Sequence, residues 1–260
     1  MTILDDILVK TRLTIAADQA ATPTAELEAR VADMPPTRDF VAALAAGDQV
    51  QLIAEVKKAS PSAGLIREDF DPASLALAYQ DGGAACISVL TDEPFFQGSL
   101  DYLRQVRAAV DLPILRKDFI VDRYQLLQAR EAGADCVLLI AECLGPDEMK
   151  RLHDQATELG MATLIELFDP ENLKPVLATG TRLVGINNRD LRTFKTTLQH
   201  TLDLCAQIPS DRLVVGESGI RTNEDVLTLG RGGVKAILVG ESLMRQSDVS
   251  GATRALLGNP

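Results

Sequence analysis

The chain has 260 residues, with 26 basic and 37 acidic side chains, a formal net charge of −11 and 46% hydrophobic residues. That length and mixture suit one α/β domain with a large core. The acidic balance argues against a general nucleic-acid or membrane-surface binder, but it leaves room for an anionic small molecule held by a local basic cluster. No apolar run is long enough to span a bilayer, and the opening MTILDDILVK has two acids where a secretory leader has a basic region, so a cytoplasmic protein is expected.

Residues 1–46 carry three helical patterns, Ile3–Arg12, Ala25–Val31 and Phe40–Ala46, and read as an N-terminal extension packed on the remainder of the chain. Eight short apolar runs come next: Leu52–Val56, Ala85–Val89, Leu112–Leu115, Asp135–Ile140, Ala162–Ile165, Arg182–Ile186, Leu213–Val215 and Lys235–Val239. Near-continuous apolar runs of this length are strands buried on both faces. Helices fill the gaps, with starts at Asp71-Pro72, Pro146-Asp-Glu, Pro170-Glu and Thr222-Asn-Glu-Asp, where a capping side chain, a first-turn proline or acids favour a helix N-terminus. Gly83, Gly133, Gly180 and Gly233 each precede a strand, and each suits the left-handed turn that closes a helix. They recur about every 50 residues, two βα units per copy. The pattern predicts a single (β/α)8 TIM barrel over residues 1–260.

In such a barrel the site lies at the C-terminal ends of the strands, where this chain places polar residues. Glu55 and Lys57 close strand one and point the same way. A strand-end salt bridge explains the pair alone, but the following loop, with Lys58, Ser60, Ser62 and Gly64, offers hydroxyl and amide donors over the same face. Lys117 ends strand three, as a surface charge or as an acid whose pKa burial lowers. Glu166 ends strand five in an apolar context, which calls for a partner or a task, and an ion pair with Lys117 is the structural alternative. Asn187, Asn188 and Arg189 follow strand six with donors suited to a carboxylate or hydroxyls. Glycine turns follow strand seven, at Glu217-Ser218-Gly219, and strand eight, at Gly240-Glu241-Ser242, where such barrels commonly bind phosphate. Ordinary βα turns are the alternative there.

Cys86, Cys136, Cys143 and Cys205 form no CxxC pair and read as reduced thiols. His153 and His200 fall on predicted outer helices as surface residues, so acid–base work rests with Lys and Glu. No metal-ligand constellation, dinucleotide fingerprint or P-loop appears, and neither a metal nor a cofactor is expected.

Six motifs together, Ile53-Ala-Glu55-Val-Lys57-Lys-Ala-Ser60-Pro-Ser62, Leu115-Arg-Lys117-Asp-Phe119-Ile, Leu164-Ile-Glu166, Gly185-Ile-Asn187-Asn188-Arg189-Asp-Leu191, Glu217-Ser218-Gly219-Ile220 and Gly240-Glu-Ser-Leu-Met244, resemble those of the indole-3-glycerol-phosphate synthases of tryptophan biosynthesis. The resemblance runs in order over almost the whole chain. It implies a phosphorylated substrate, 1-(2-carboxyphenylamino)-1-deoxyribulose 5-phosphate, whose ring closure loses carbon dioxide and water, with no obligate protein partner. It also implies a catalytic set of Glu55, Lys57, Lys117, Glu166, Asn187, Glu217 and Ser218. Ser60, Phe96, Phe119, Arg189, Gly219, Gly240 and Glu241 would contact the substrate. Two positions are atypical: Glu241, whose carboxylate must point away from a phosphate, and Gln97, beside the aromatic wall of Phe96. A Schiff-base aldolase, which also uses a strand-end lysine and a phosphate site, is the competing enzyme class. A barrel that binds a phosphorylated metabolite without turnover is the competing non-enzyme.

Overall fold

The computed structural model describes residues 3–190 and 195–259. Eight parallel strands close into a barrel in chain order: β1 (Gln51–Val56), β2 (Cys86–Leu90), β3 (Ile114–Lys117), β4 (Cys136–Ile140), β5 (Ala162–Leu167), β6 (Leu183–Asn187), β7 (Leu213–Glu217) and β8 (Ala236–Val239), with β8 paired to β1. The expected (β/α)8 architecture is present. Leu191, in the motif after β6, lies outside the described residues.

Five strands, β2, β3, β5, β6 and β7, run past the C-terminal ends of their apolar runs. β3 starts at Ile114 and takes in Lys117, β5 takes in Glu166, and β7 takes in Glu217. The side-chain pattern turns polar before the backbone ladder stops: Glu166 pairs with Ile140 and Gly185, and Glu217 with Asn187 and Leu238. The late start of β3 follows Pro113, which has no N–H for a ladder.

The helices between strands include α4 (Pro72–Asp81), the short α5 (Glu93–Phe96), α6 (Leu100–Ala109), α7 (Arg123–Ala132), α8 (Pro146–Glu158), α9 (Leu173–Thr179), α10 (Gln199–Cys205) and α11 (Asn223–Arg231). The Asp71 carboxylate accepts from Ser74 N at 2.9 Å, and Thr222 and Asp225 form a reciprocal capping box; each such cap is worth about 1 kcal/mol. Pro170 opens a short 3₁₀ turn, Pro170–Asn172, so the helix expected there begins only at Leu173. Gly83, Gly133, Gly180 and Gly233 all have φ between 91° and 94°, the left-handed turn read from the repeat.

The N-terminal helices span the barrel from mouth to base. α1 (Ile3–Ala21) continues well past Arg12, because nothing in its second half breaks a helix before Pro23. α2 (Thr24–Ala32) packs on α7, and the Tyr124 hydroxyl hydrogen-bonds the carbonyls of Asp18 and Thr22. The chain then passes under the barrel, where Arg38 N donates to Asp135 Oδ1 at 2.7 Å. α3 (Phe40–Ala45) sets Phe40, 1% exposed, against Ile53, Cys86 and Leu115 of the barrel interior. Burying one such side chain contributes about 2–3 kcal/mol. A larger apolar shell, including Leu52, Ile87 and Val184, lies between the sheet and the helices.

Candidate active site

Strand alternation decides what enters the barrel mouth. In β3, Leu115 joins the interior core while Ile114 joins the outer shell, so Lys117 points inward and Arg116 outward. Arg116 instead donates to the Gln125 carbonyl of α7 at 2.6 Å and to Asp118 Oδ2 at 2.8 Å, and the Thr91 hydroxyl donates to that same Asp118 oxygen. Asp118 Oδ1 accepts from Phe119 N at 2.8 Å, and Gln125 donates to the Phe119 carbonyl at 3.0 Å. This buried polar frame fixes the backbone on either side of Phe119.

Lys117 reaches two carboxyls on the far side of the barrel. Its Nζ lies 3.0 Å from Glu166 Oε2 and 2.5 Å from Glu217 Oε2. Asn187 Nδ2 donates to Glu166 Oε1 at 3.0 Å. Lys57 Nζ sits 2.6 Å from Glu55 Oε1, so the strand-end salt bridge exists, inside the cavity. The same cavity is walled by Phe96 and Phe119, whose ring centroids are 6.1 Å apart, and by Leu138 and Ile140 beneath.

The electrostatics separate the two glutamates. Burial, reinforced by the Glu166 charge, pushes the Glu217 carboxyl up to about 8. Burial would raise Glu166 as well, but the Lys117 ammonium and hydrogen bonds from Glu217, Lys117 and Asn187 hold it below the usual carboxylate range. At neutral pH the pair therefore shares one proton, carried by Glu217. Lys117 departs from expectation. Burial does pull its pKa down, yet the charges of Glu166, Glu217 and Glu55 outweigh it and keep the amine above its ordinary value. It is a firmly protonated ammonium.

Above this floor lies the loop after β1, a small hairpin of Ala59–Ser60 against Gly64–Leu65. Ser60 Oγ accepts from Ala63 N at 3.2 Å, and Arg189 Nη1 donates to Ser62 Oγ at 3.0 Å, so the loops after β1 and β6 meet over the cavity. Ser218, at φ 66°, is one of two non-glycine residues with positive φ among those described, and Asn188 Nδ2 donates to its carbonyl at 3.1 Å. Such a left-handed serine is held by its surroundings, and such residues cluster at functional sites.

Every residue expected in the site lines this cavity except Gly219. Gly219 lies behind Ser218 at φ 80°, where a Cβ would meet Thr196 Cγ2 at 2.5 Å. Lys58, in the loop after strand one, is not in the lining either; its carbonyl accepts from Ile66 N. Gly240 does line the cavity, but its absent side chain makes room for Glu55, whose Oε1 would lie 2.5 Å from a Cβ. The Glu241 carboxylate is turned to Arg245, at 2.9 and 3.1 Å. Gln97 ends α5 in a left-handed turn, exposed and outside the lining. The histidines are half-buried, not surface residues: His153 Nδ1 pairs with Thr163 Oγ1 at 2.6 Å, and His200 stacks on Phe168. All four cysteines are free thiols. No group of three or more metal-ligating side chains occurs among the described residues.

Sequence reasoning missed Leu4, Ile7 and Asp118. Leu4 and Ile7 of α1 line the cavity, although their spacing reads only as a core-facing stripe. Asp118 lines it beside its Arg116 partner. Asn188 is buried at 1% exposure, with its Oδ1 held by Thr201 N and Oγ1. Named from the sequence with Asn187 and Arg189, it lies outside the cavity lining.

The model of the family described as indole-3-glycerol phosphate synthase matches residues 4–256. The chain belongs to this family. An indole-3-glycerol phosphate synthase from Rhodopirellula baltica is 74% identical over 259 residues and covers 100% of both chains. One from Variovorax paradoxus is 50% identical over 98% of each. Among solved structures, a mutant tryptophan synthase α-subunit from Pyrococcus furiosus superposes with a TM-score of 0.61 at 18% identity, covering 80% of this chain and 98% of that one. A thiamine phosphate pyrophosphorylase from the same organism gives 0.59 at 16% identity, over 80% and 94%. At such identities these two likenesses concern the fold alone. Among the described residues no helix is long and apolar enough to cross a membrane.

Proposed function

We propose that Lys117 is the general acid and Glu166 the general base for closing 1-(2-carboxyphenylamino)-1-deoxyribulose 5-phosphate to indole-3-glycerol phosphate. One observation carries this reading: the Lys117 Nζ stands between the Glu166 and Glu217 carboxyls, at 3.0 and 2.5 Å, at the floor of one cavity. As the aromatic carbon bearing the carboxylate attacks the ketone carbon, Lys117 donates a proton to the ketone oxygen. The carboxylate then leaves as carbon dioxide, and its electrons restore the aromatic ring. Loss of the new hydroxyl as water needs an acid at oxygen and a base at the methylene carbon next to nitrogen, and Glu217 and Glu166 supply that pair. Positioned proton donors and acceptors of this kind are each worth about 10²–10⁴ in rate.

Lys57, braced by Glu55, is assigned to the benzoate carboxylate, and Phe96 and Phe119 to the faces of the anthranilate ring. Asn187, Ser218 and Arg189 are assigned to the hydroxyls. Ser60 and the backbone N–H groups of Gly219, Gly240 and Glu241 are assigned to the phosphate. The chain acts as one barrel unit, with 1–46 as its extension, in the cytoplasm and without an obligate partner.

Incubation with the carboxyphenylamino-deoxyribulose phosphate should give a rise in indole fluorescence that Lys117→Ala removes. A parent protein silent in that assay would overturn the reading. Borohydride with substrate should trap no adduct, because a protonated Lys117 is no nucleophile; a reduced adduct on Lys117 would favour the aldolase chemistry.

A further inference from the structure

Gly185 sits inside β6, where a glycine weakens a strand and marks a place that something else approaches closely. It is absent from the positive-φ glycines, so backbone freedom does not account for it. Its surroundings do. A Cβ there would meet Glu217 Oε1 at 2.6 Å, Glu166 Cα at 3.3 Å and Leu164 Cδ1 at 3.3 Å. Only the first distance is prohibitive, and it concerns the end of a flexible side chain. Glu217 Oε1 is buried and has no hydrogen-bond partner among the described residues, while Oε2 of the same carboxyl holds Lys117.

We propose that Gly185 is a positioning residue: its missing side chain is the seat of the Glu217 carboxyl, and it thereby sets the reach of Glu217 to Lys117 and Glu166. This rests on the role given to Glu217 above. A methyl group at Gly185 evicts one carboxyl oxygen and asks the β5 backbone at Glu166 to give by only a few tenths of an ångström. The cost then falls on proton transfer and not on the sheet. Gly240 offers Glu55 a similar seat, but there a Cβ would also meet Glu55 Cβ at 2.9 Å, which a side-chain rotation relieves less easily.

The test is a double-mutant cycle of Gly185→Ala and Glu217→Gln, read by indole fluorescence and thermal melting. Gly185→Ala alone should melt close to the parent and lose about 100-fold in kcat, the effect of misplacing a reacting group by about 1 Å. Its KM should stay within about threefold, since the remaining substrate contacts are untouched. The limb of the kcat pH profile that Glu217 sets should move, whereas a packing defect would lower the whole profile without displacing it. In the Glu217→Gln background the same methyl should cost less than about threefold, because the group it displaces no longer acts. Parental kcat in Gly185→Ala, or the same loss in both backgrounds, would overturn the proposal. Full activity in Glu217→Gln alone would instead overturn the role of Glu217, and the proposal with it. Should Gly185→Ala fail to fold, adding Glu217→Asp shortens the displaced side chain and should restore a folded protein; failure to do so also counts against the seat.

Discussion

Glu217 and Lys117 meet at 2.5 Å across the barrel floor, and the carboxyl in that contact is the one that keeps its proton at neutral pH. Glu166, 3.0 Å from the same nitrogen, is the one that loses it. Burial raises both carboxyls, but the Lys117 ammonium and hydrogen bonds hold Glu166 down while the Glu166 charge adds to the rise in Glu217. Glu166 Oε1 takes the amide of Asn187, whereas Glu217 Oε1 is buried with no hydrogen-bond partner among the described residues.

Lys117→Ala should lower kcat by about 10²–10⁴ while the fold and much of the substrate affinity persist. Without the ammonium, Glu166 loses the charge that holds its pKa down, so the acidic limb of the activity profile should move to higher pH. Near-parental turnover would remove Lys117 from the mechanism.

Glu166→Gln preserves size and the contact with Asn187 but abolishes the base. Turnover should fall by at least about tenfold, and by more than affinity, as steady-state kinetics would register. A variant changed only in melting temperature would identify Glu166 as a structural partner of Lys117.

The raised pKa of Glu217 has a definite sign in stability. Between the ordinary carboxylate range and about pH 8 the folded protein holds a proton that the unfolded chain has released. This contribution is therefore largest at low pH and is lost as pH rises through that window. Glu166, depressed, works the other way and loses its contribution as pH falls. Glu217→Gln should melt higher relative to the parent at pH 9 than at pH 5. An equal difference at both values would contradict the assignment of the proton.

Gly240→Val should disrupt the Glu55–Lys57 pair directly, since its first side-chain atom falls 2.5 Å from Glu55 Oε1 and 2.9 Å from Glu55 Cβ. Overpacking of this kind costs about 1–3 kcal/mol, so both the melting temperature and turnover should drop. Loss of phosphate or sulfate inhibition with an unchanged melting temperature would instead put the new side chain in the anion's space.

The barrel was legible because its strands are apolar on both faces and its turns are glycines that the geometry requires. The site was legible because barrels of this kind gather strand ends in one place, which picked out Lys117, Glu166 and Glu217 before any distance was known. Protonation was not legible. The expectation that burial lowers the Lys117 pKa treats the lysine alone, and the two carboxyls facing it reverse the sign. Why residue 240 is a glycine was not legible either: a glycine in a phosphate-like turn suggests room for a ligand, whereas the nearest occupant is Glu55. Leu4 and Ile7 gave no signal, since a residue facing a cavity and one facing a core obey the same helical period.

The alternation of Arg116, Lys117 and Asp118 also bears on which sequence changes this barrel tolerates. Inserting or deleting one residue within β3 would turn Lys117 toward α7 and bring a neighbour inward. When that neighbour is Arg116, total charge and composition of the strand barely change, so the lesion would be invisible to any measure that ignores phase. Length variation in this stretch is therefore confined to even steps, or to the loops on either side, while the outer helices remain free to drift.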